Sequence, residues 1–458
     1  MSLPGLQLNS IPVEEKTLVI HVLSENTEWR FEVAYGENVQ VKLLSGMAEL
    51  FGTELALKQA YNFTGCKAAI YSWHGCRLEV TGVLQSDYIA EETPMISYVN
   101  THFALENMRQ SAMENNELGP RVLIVGPDNA GKTMLVKILA AYSSRTGGQP
   151  VVVNTNPREG MLSIPGTLST IVLDSIVDVE EGWGTSPTNG PSQIPVKLPL
   201  VYYYGMEDPE AKSEIFKPMI TRLALSVTNR MEDDIDVKHS GCIIDTCGSI
   251  GQGKANYDLI HHIVAEFSVN VLIVLGSERL YNDMSRRFTK QTTGPGRTIN
   301  VLKLDKSGGC VDRDAQYLKQ LRQTQTREYF SGDPRNLLSP HTQQIDFTDI
   351  FVYKIEDTAL LDSLLPGGES EDLSAKISIY EKVQPTTAMQ NCILAIVQAE
   401  PNDSQENIRD ASVIGFVFVA EVDEKKKKLR VLAPLSGRLP RKAMVWGTWP
   451  ENVGELAG

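Results

Sequence analysis

Three stretches of distinct hydrophobic patterning divide the 458 residues. Over residues 16–86, apolar and polar side chains alternate in short runs at 17–22, 29–33, 39–43, 68–73 and 78–82, separated by turn-forming residues. Alternation with a period of two sends one set of side chains to each face of a strand, so these runs predict a small β-sandwich. Residues 100–115 switch to a helical pattern, and Pro120 then opens the second stretch. Between 119 and 335, apolar runs alternate with longer helical or loop segments, as a parallel sheet with crossover helices requires. Its strand candidates are 121–125, 151–153, 241–244, 269–275 and 300–304. The acidic, Gly/Pro-rich segment 178–191 is long for a connection in such a unit, and its Trp183 is a candidate partner contact. After Pro334 the β pattern returns, with runs 414–422 and 429–434 flanking 423–428 as a hairpin. The four lysines at 425–428 are expected to form its solvated tip. No internal repeat is visible.

Inside the second stretch, Gly126-Pro127-Asp128-Asn129-Ala130-Gly131-Lys132-Thr133 follows an apolar strand and precedes the helical pattern that starts at Met134. This is a P-loop in its expected context. Its glycines let several backbone N–H groups converge on one phosphate, Lys132 reaches the outer phosphates, and the Thr133 hydroxyl suits Mg²⁺. The expected nucleotide contacts are Gly126, Asn129, Ala130, Gly131, Lys132, Thr133 and Met134. Asp245 ends an apolar run and opens a D-x-x-G, so with Thr133 it is the metal candidate. Arg279 and Arg286 lie two helical turns apart and can face transferring phosphate from one side of a helix. The run Leu302-Lys303-Leu304-Asp305 is a degraded version of a guanine-reading motif, with Leu where Asn belongs, and keeps a GTPase open as an alternative.

Composition narrows the choice of function. A hydrophobic content of 42% and a charged content of 22% are those of an ordinary soluble globular chain, and the length suggests two to four domains. A formal charge of −14 argues against holding nucleic acid by bulk electrostatics. The six cysteines include no C-x-x-C and are expected to be small buried hydrophobes in a reducing compartment. No signal-peptide pattern and no membrane-length apolar stretch is seen, so an intracellular protein is expected.

The segments 45–55, 119–133, 164–167, 240–242, 277–282, 306–309, 327–330 and 434–440 together resemble the Clp-one family of polyribonucleotide 5′-hydroxyl kinases and pre-mRNA 3′-end cleavage factors. The resemblance implies an N-terminal β-sandwich at 1–112, a central P-loop kinase-like domain with a parallel sheet at 113–335, and a small C-terminal α/β domain at 336–458. It also implies ATP and Mg²⁺ as ligands, with adenosine contacts at Glu28 and Lys67. Active relatives carry an Asp that activates the RNA hydroxyl; here Asn156 stands at that place, and Asn accepts no proton. Glu159 is a possible substitute three residues on. Active relatives also carry a base-stacking Trp where this chain has Ser249. The expected outcome is an ATP-holding pseudokinase, with an active polynucleotide 5′-hydroxyl kinase as alternative. It resembles the fungal branch, which works in the nucleus in cleavage factor IA beside a scaffold subunit that contacts RNA polymerase II.

Overall fold

The computed structural model describes residues 18–180, 199–294, 296–332, 337–355, 379–434 and 436–454. The chain forms two compact units that meet in sequence between Thr93 and Pro94. In the first, two antiparallel sheets enclose a core of Trp29, Phe31, Val41, Leu43, Ile70 and Leu78, as the alternating pattern predicts. One sheet has the order Leu18–Leu23, Cys76–Thr81, Val39–Gly46, Ala60–Phe63; the other has five strands with Thr27–Glu32 between Lys67–Ser72 and Ser86–Ala90. Trp29 stacks on Phe31 at 4.4 Å between ring centroids, the offset geometry that aromatic quadrupoles favour.

The second unit opens with the helix Met95–Glu114 and carries two seven-stranded sheets. The central sheet has five parallel strands in the order Val151–Asn154, Cys242–Asp245, Arg121–Val125, Val271–Leu275, Asn300–Leu304. These match the predicted strands. Two further strands, Thr167–Val172 and Leu200–Tyr203, add antiparallel at one edge and make the sheet mixed. Their sequences mix hydroxyl and apolar residues without a clear period. Thr170 is tolerated in a buried strand because its hydroxyl donates to the Val152 carbonyl at 3.0 Å. In an open α/β sheet of this kind the C-terminal edge of the parallel strands is the usual binding edge.

The C-terminal sheet is antiparallel apart from the pairing of Phe351–Ile355 with Ala443–Trp446. Its hairpin Val413–Asp423/Lys428–Ala433 is the predicted one. The Asp423 carboxylate accepts N–H bonds from Lys425 and Lys426, closing the turn and leaving Lys425, Lys426 and Lys427 exposed, while Lys428 is half-buried at the start of the second strand. Phe416 and Phe418 pack on Tyr329 and Phe330 of the helix Ala315–Ser331, so one hydrophobic core runs through both sheets of this unit. The 181–198 part of the acidic loop, with Trp183, lies outside the described residues. Among the described residues, no helix is long and apolar enough to cross a membrane.

Candidate nucleotide site

The strand Arg121–Val125 is buried along its whole length and delivers the P-loop at its C-terminal end. A side chain at Gly126 would put its Cβ 2.5 Å from the Leu275 carbonyl oxygen, and Gly131 has φ +88°, so glycine is required at both positions. Asn129 also takes a left-handed conformation, with φ 54°. The helix Lys132–Arg145 starts immediately after, and its unpaired first N–H groups favour an anion. The Lys132 ammonium folds back and donates to the Pro127 carbonyl at 2.7 Å, bringing its charge over the loop.

Asp245 ends its strand 1% exposed, and its Oδ2 accepts from the Thr133 hydroxyl at 2.6 Å. Its Oδ1 is buried without a partner. Burial pushes the carboxyl up to about 6, against the Thr133 hydrogen bond and the Lys132 charge, which favour the anion. A hydroxyl and a spare carboxylate oxygen side by side are the hard donors Mg²⁺ takes from protein when phosphates and water complete its shell, so these residues fit that ion. The strand end is pinned by Thr155, whose N–H and hydroxyl both donate to the Asp245 carbonyl, and by Thr246, whose hydroxyl donates to the Ile124 carbonyl.

The loop after Val151–Asn154 carries Asn156, 8% exposed. Its N–H donates to Asn154 Oδ1 at 2.9 Å, and its own Oδ1 accepts the Arg158 N–H at 3.1 Å, consecutive side-chain turns that shape the loop. Both oxygens of Glu159 are taken by Arg313, at 2.6 and 2.8 Å, and Arg313 Nε donates to Asn129 Oδ1 at 2.9 Å. Arg158 lies 3.3 Å from carboxylate oxygens of Asp128 and Glu207, and its carbonyl accepts from the Trp449 indole. The Gln325 side chain donates to the Gly160 carbonyl at 2.9 Å. Sequence reading passed over Arg313, Arg158, Gln325 and Trp449, because no local pattern marks a contact made from so far along the chain.

Arg279 and Arg286 both stand exposed on the helix Glu278–Phe288, as the spacing predicts, and this helix follows directly on the sheet strand Val271–Leu275. Arg286 is tied to Asp283 at 3.1 Å and to its own helix backbone. Ser249 is 3% exposed, and its hydroxyl donates to Asp208 at 3.1 Å. Lys303 belongs to the last parallel strand and pairs with Glu278, while the Asp305 carbonyl accepts from Tyr98. In the N-terminal unit, Glu28 is buried and engaged by Arg30 and by the Thr93 hydroxyl, and Lys67 pairs across two strands with Glu32 at 2.6 Å.

A P-loop, a strand-end carboxylate against its threonine and a loop of paired polar side chains define an α/β protein of the P-loop class. Three family models match it: the N-terminal β-sandwich domain of polyadenylation factor over residues 22–112, the P-loop of mRNA cleavage and polyadenylation factor CLP1 over 126–332, and the pre-mRNA cleavage complex II protein Clp1 over 338–451. The mRNA cleavage and polyadenylation factor clp1 of Botryotinia fuckeliana is 55% identical over the full length of both chains, and that of Phaeosphaeria nodorum is 50% identical, also end to end. The chain belongs to the Clp1 family of mRNA cleavage and polyadenylation factors. Among solved structures, Clp1p in complex with a Pcf11p segment (454–563) superposes with a TM-score of 0.84 at 30% identity, over 95% of this chain and 98% of that one. A second, with the same TM-score and identity over 95% and 99%, concerns an extended Pcf11p–Clp1p interface and ATP loss in a glycine-to-arginine point mutant.

Proposed function

We propose that this protein is an ATP-holding, catalytically silent subunit of the nuclear pre-mRNA 3′-end cleavage and polyadenylation machinery, of the cleavage factor IA type. Its partner would be a scaffold subunit of the Pcf11 kind that also meets RNA polymerase II. It would be needed for cleavage coupled to polyadenylation without itself transferring phosphate. The reading is supported by full-length relatives named as cleavage and polyadenylation factors, by the solved complex of Clp1p with Pcf11p, and by the ATP loss named for a point mutant in a second Clp1p–Pcf11p structure.

The observation that carries it is the pairing of both Glu159 oxygens with Arg313. With Asn at 156, Glu159 is the candidate substitute three residues along the loop, and it is already held by a guanidinium. The loop N–H groups and Lys132 would hold phosphates, and Thr133 with Asp245 would hold Mg²⁺, which would supply positive charge against them. The decisive experiment denatures freshly purified protein and identifies the nucleotide released. ATP is expected in wild type and none in Lys132→Ala; equal content in both would refute the assignment.

One observation favours an active polynucleotide 5′-hydroxyl kinase instead. Asp245 is a second carboxylate in the site, with one oxygen on the Thr133 hydroxyl and the other buried without a partner. Transfer of labelled γ-phosphate to 5′-hydroxyl RNA, abolished in Lys132→Ala, would establish that reading. GTP outcompeting ATP for the purified protein would establish a GTPase.

A further inference from the structure

We infer that Arg158 is a phosphate-binding cation that the carboxylates of Asp128, Glu207 and Asp208 clamp across the acceptor side of the site, keeping a polynucleotide end out. The inference rests on the silent, ATP-holding function proposed above and names what closes the site to RNA.

Four loops meet at Arg158. It follows the strand Val151–Asn154, and its own N–H donates to Asn156 Oδ1. Its Nη1 donates to Asp128 Oδ2, inside the P-loop, at 3.3 Å. Its Nε is buried 3.3 Å from Glu207 Oε1, in the connection after Leu200–Tyr203, without the alignment of a hydrogen bond to it or to any other group. Burial works against the guanidinium's charge, yet Cys247, Asp128, Glu207 and Asp208 together raise its pKa. Asp208 is fixed in turn: its Oδ1 accepts from the Ser249 hydroxyl and the Glu210 N–H, both at 3.1 Å, and its carbonyl accepts from the Tyr204 hydroxyl at 2.9 Å. Gly248 passes so close to the P-loop that a Cβ there would stand 2.2 Å from Asp128 Oδ1.

A phosphate acceptor has to reach the outermost phosphate from beyond the P-loop, along the sheet edge where the loops after Val151–Asn154 and Cys242–Asp245 stand. Arg158 lies across that approach. Three carboxylates against one guanidinium leave the place negative, in a chain whose formal charge is already −14. An incoming RNA strand is repelled by Glu207 and Asp208, and the group able to hold its phosphates is neutralised in advance. The clamp is more electrostatic than bonded. Of the five N–H donors on a guanidinium, one makes a hydrogen bond among the described residues. The others are open to a phosphate once the carboxylates lose their charge. If the cluster only tied loops together, neutralising its acids would loosen those loops and create no affinity for RNA.

The test is fluorescence anisotropy of a labelled 5′-hydroxyl oligoribonucleotide titrated with full-length protein. The double variant Glu207→Gln/Asp208→Asn keeps the size of both side chains and an oxygen for the Ser249 hydroxyl. It is expected to bind the oligoribonucleotide about tenfold or more tighter than wild type. Adding Arg158→Ala to it removes the gain and flattens the slope of log affinity against log salt by about 0.7, the share of one phosphate on a single strand. Arg158→Ala alone brings no gain, since the carboxylates still face the strand. Thermal unfolding of each variant reports folding separately, and the nucleotide released on denaturation reports ATP. Wild type that binds as tightly as the double variant, or a gain that survives Arg158→Ala, would overturn the inference. A wild type that releases no ATP defeats the ATP-holding function instead, and the RNA comparison still decides the role of Arg158.

Discussion

Replacing Asp245 with Asn separates what the site gives up in stability from what it gains in binding. Burial lifts the carboxyl from an ordinary 3.8 to about 6. At 1.36 kcal/mol per pH unit, that rise corresponds to about 3 kcal/mol held against the folded, nucleotide-free protein at neutral pH. The folded state binds the proton more tightly than the unfolded chain does. This group's contribution to stability is therefore greatest below about pH 4, declines as pH rises toward about 6, and is level above that. Asn removes the charge and keeps an oxygen for the Thr133 hydroxyl, but sets an amide N–H₂ where Oδ1 now lies unpartnered, which costs about 1–3 kcal/mol if no acceptor is found. The net expectation for Asp245→Asn at pH 7 is therefore a stabilisation of about 0–2 kcal/mol in stripped protein, turning into a loss of about 1–3 kcal/mol as pH falls toward 4. With Mg²⁺·ATP the order reverses, because the anionic oxygen for the metal is gone. Urea unfolding from pH 4 to 8, with and without Mg²⁺·ATP, reads both effects. Wild-type and variant curves that run parallel across that range would refute the account of Asp245 as a strained, buried anion.

Two other substitutions probe how the site is held. Gly248→Ala would place a Cβ 2.5 Å from the Asp128 backbone nitrogen, inside the P-loop, so it should weaken nucleotide binding more than it lowers the melting temperature of stripped protein; unchanged affinity would show that the loop yields freely. Trp449→Phe keeps a ring beneath the Arg322 guanidinium, now 4.5 Å from the ring centroid, and removes the indole N–H donated to the Arg158 carbonyl. About 1 kcal/mol of stability should be lost, with faster hydrogen exchange at residues 156–160; unaltered exchange there would mean that Trp449 does not brace the loop.

The parts of the fold legible in the sequence are those where one short window carries the whole signal. The P-loop is such a case: strand, glycines and helix start lie within a few residues of one another, and the structure places them as read. Four of the five parallel strands were legible because burial on both faces makes each a largely apolar run, as in Val122–Val125, while the fifth, Asn300–Leu304, is mostly exposed and carries a weaker signal. Thr167–Val172 escaped because Ser169 and Thr170 interrupt the run, and its burial depends on the antiparallel pairing with Val151–Asn154. The cysteines read as small hydrophobes are free thiols, buried in four cases and half-buried at Cys66 and Cys310. The Arg313–Glu159 pair joins residues 154 positions apart, and no periodicity in a single sequence encodes such a contact.

Asn156→Asp tests whether the silence proposed for the site is a matter of one atom. Asp at this position keeps an oxygen for the Arg158 N–H, so the loop conformation should survive. It also supplies the missing proton acceptor, which is worth roughly 10²–10⁴-fold in rate where geometry allows. The second departure from active relatives lies elsewhere. Ser249 is buried, with its hydroxyl on Asp208, and offers no ring for a terminal RNA base. The substitution therefore acts on chemistry and leaves capture of the RNA end weak. Labelled phosphate transfer to a 5′-hydroxyl oligoribonucleotide should rise above wild type only at high RNA concentration, raising kcat while KM stays high. Adding a Trp at 249 should not lower KM, because an indole does not fit a site already closed over a serine. Transfer in Asn156→Asp that saturates at low RNA concentration would show that the chain captures RNA by residues other than these. Wild-type protein already transferring phosphate at the variant's rate would end the pseudokinase reading.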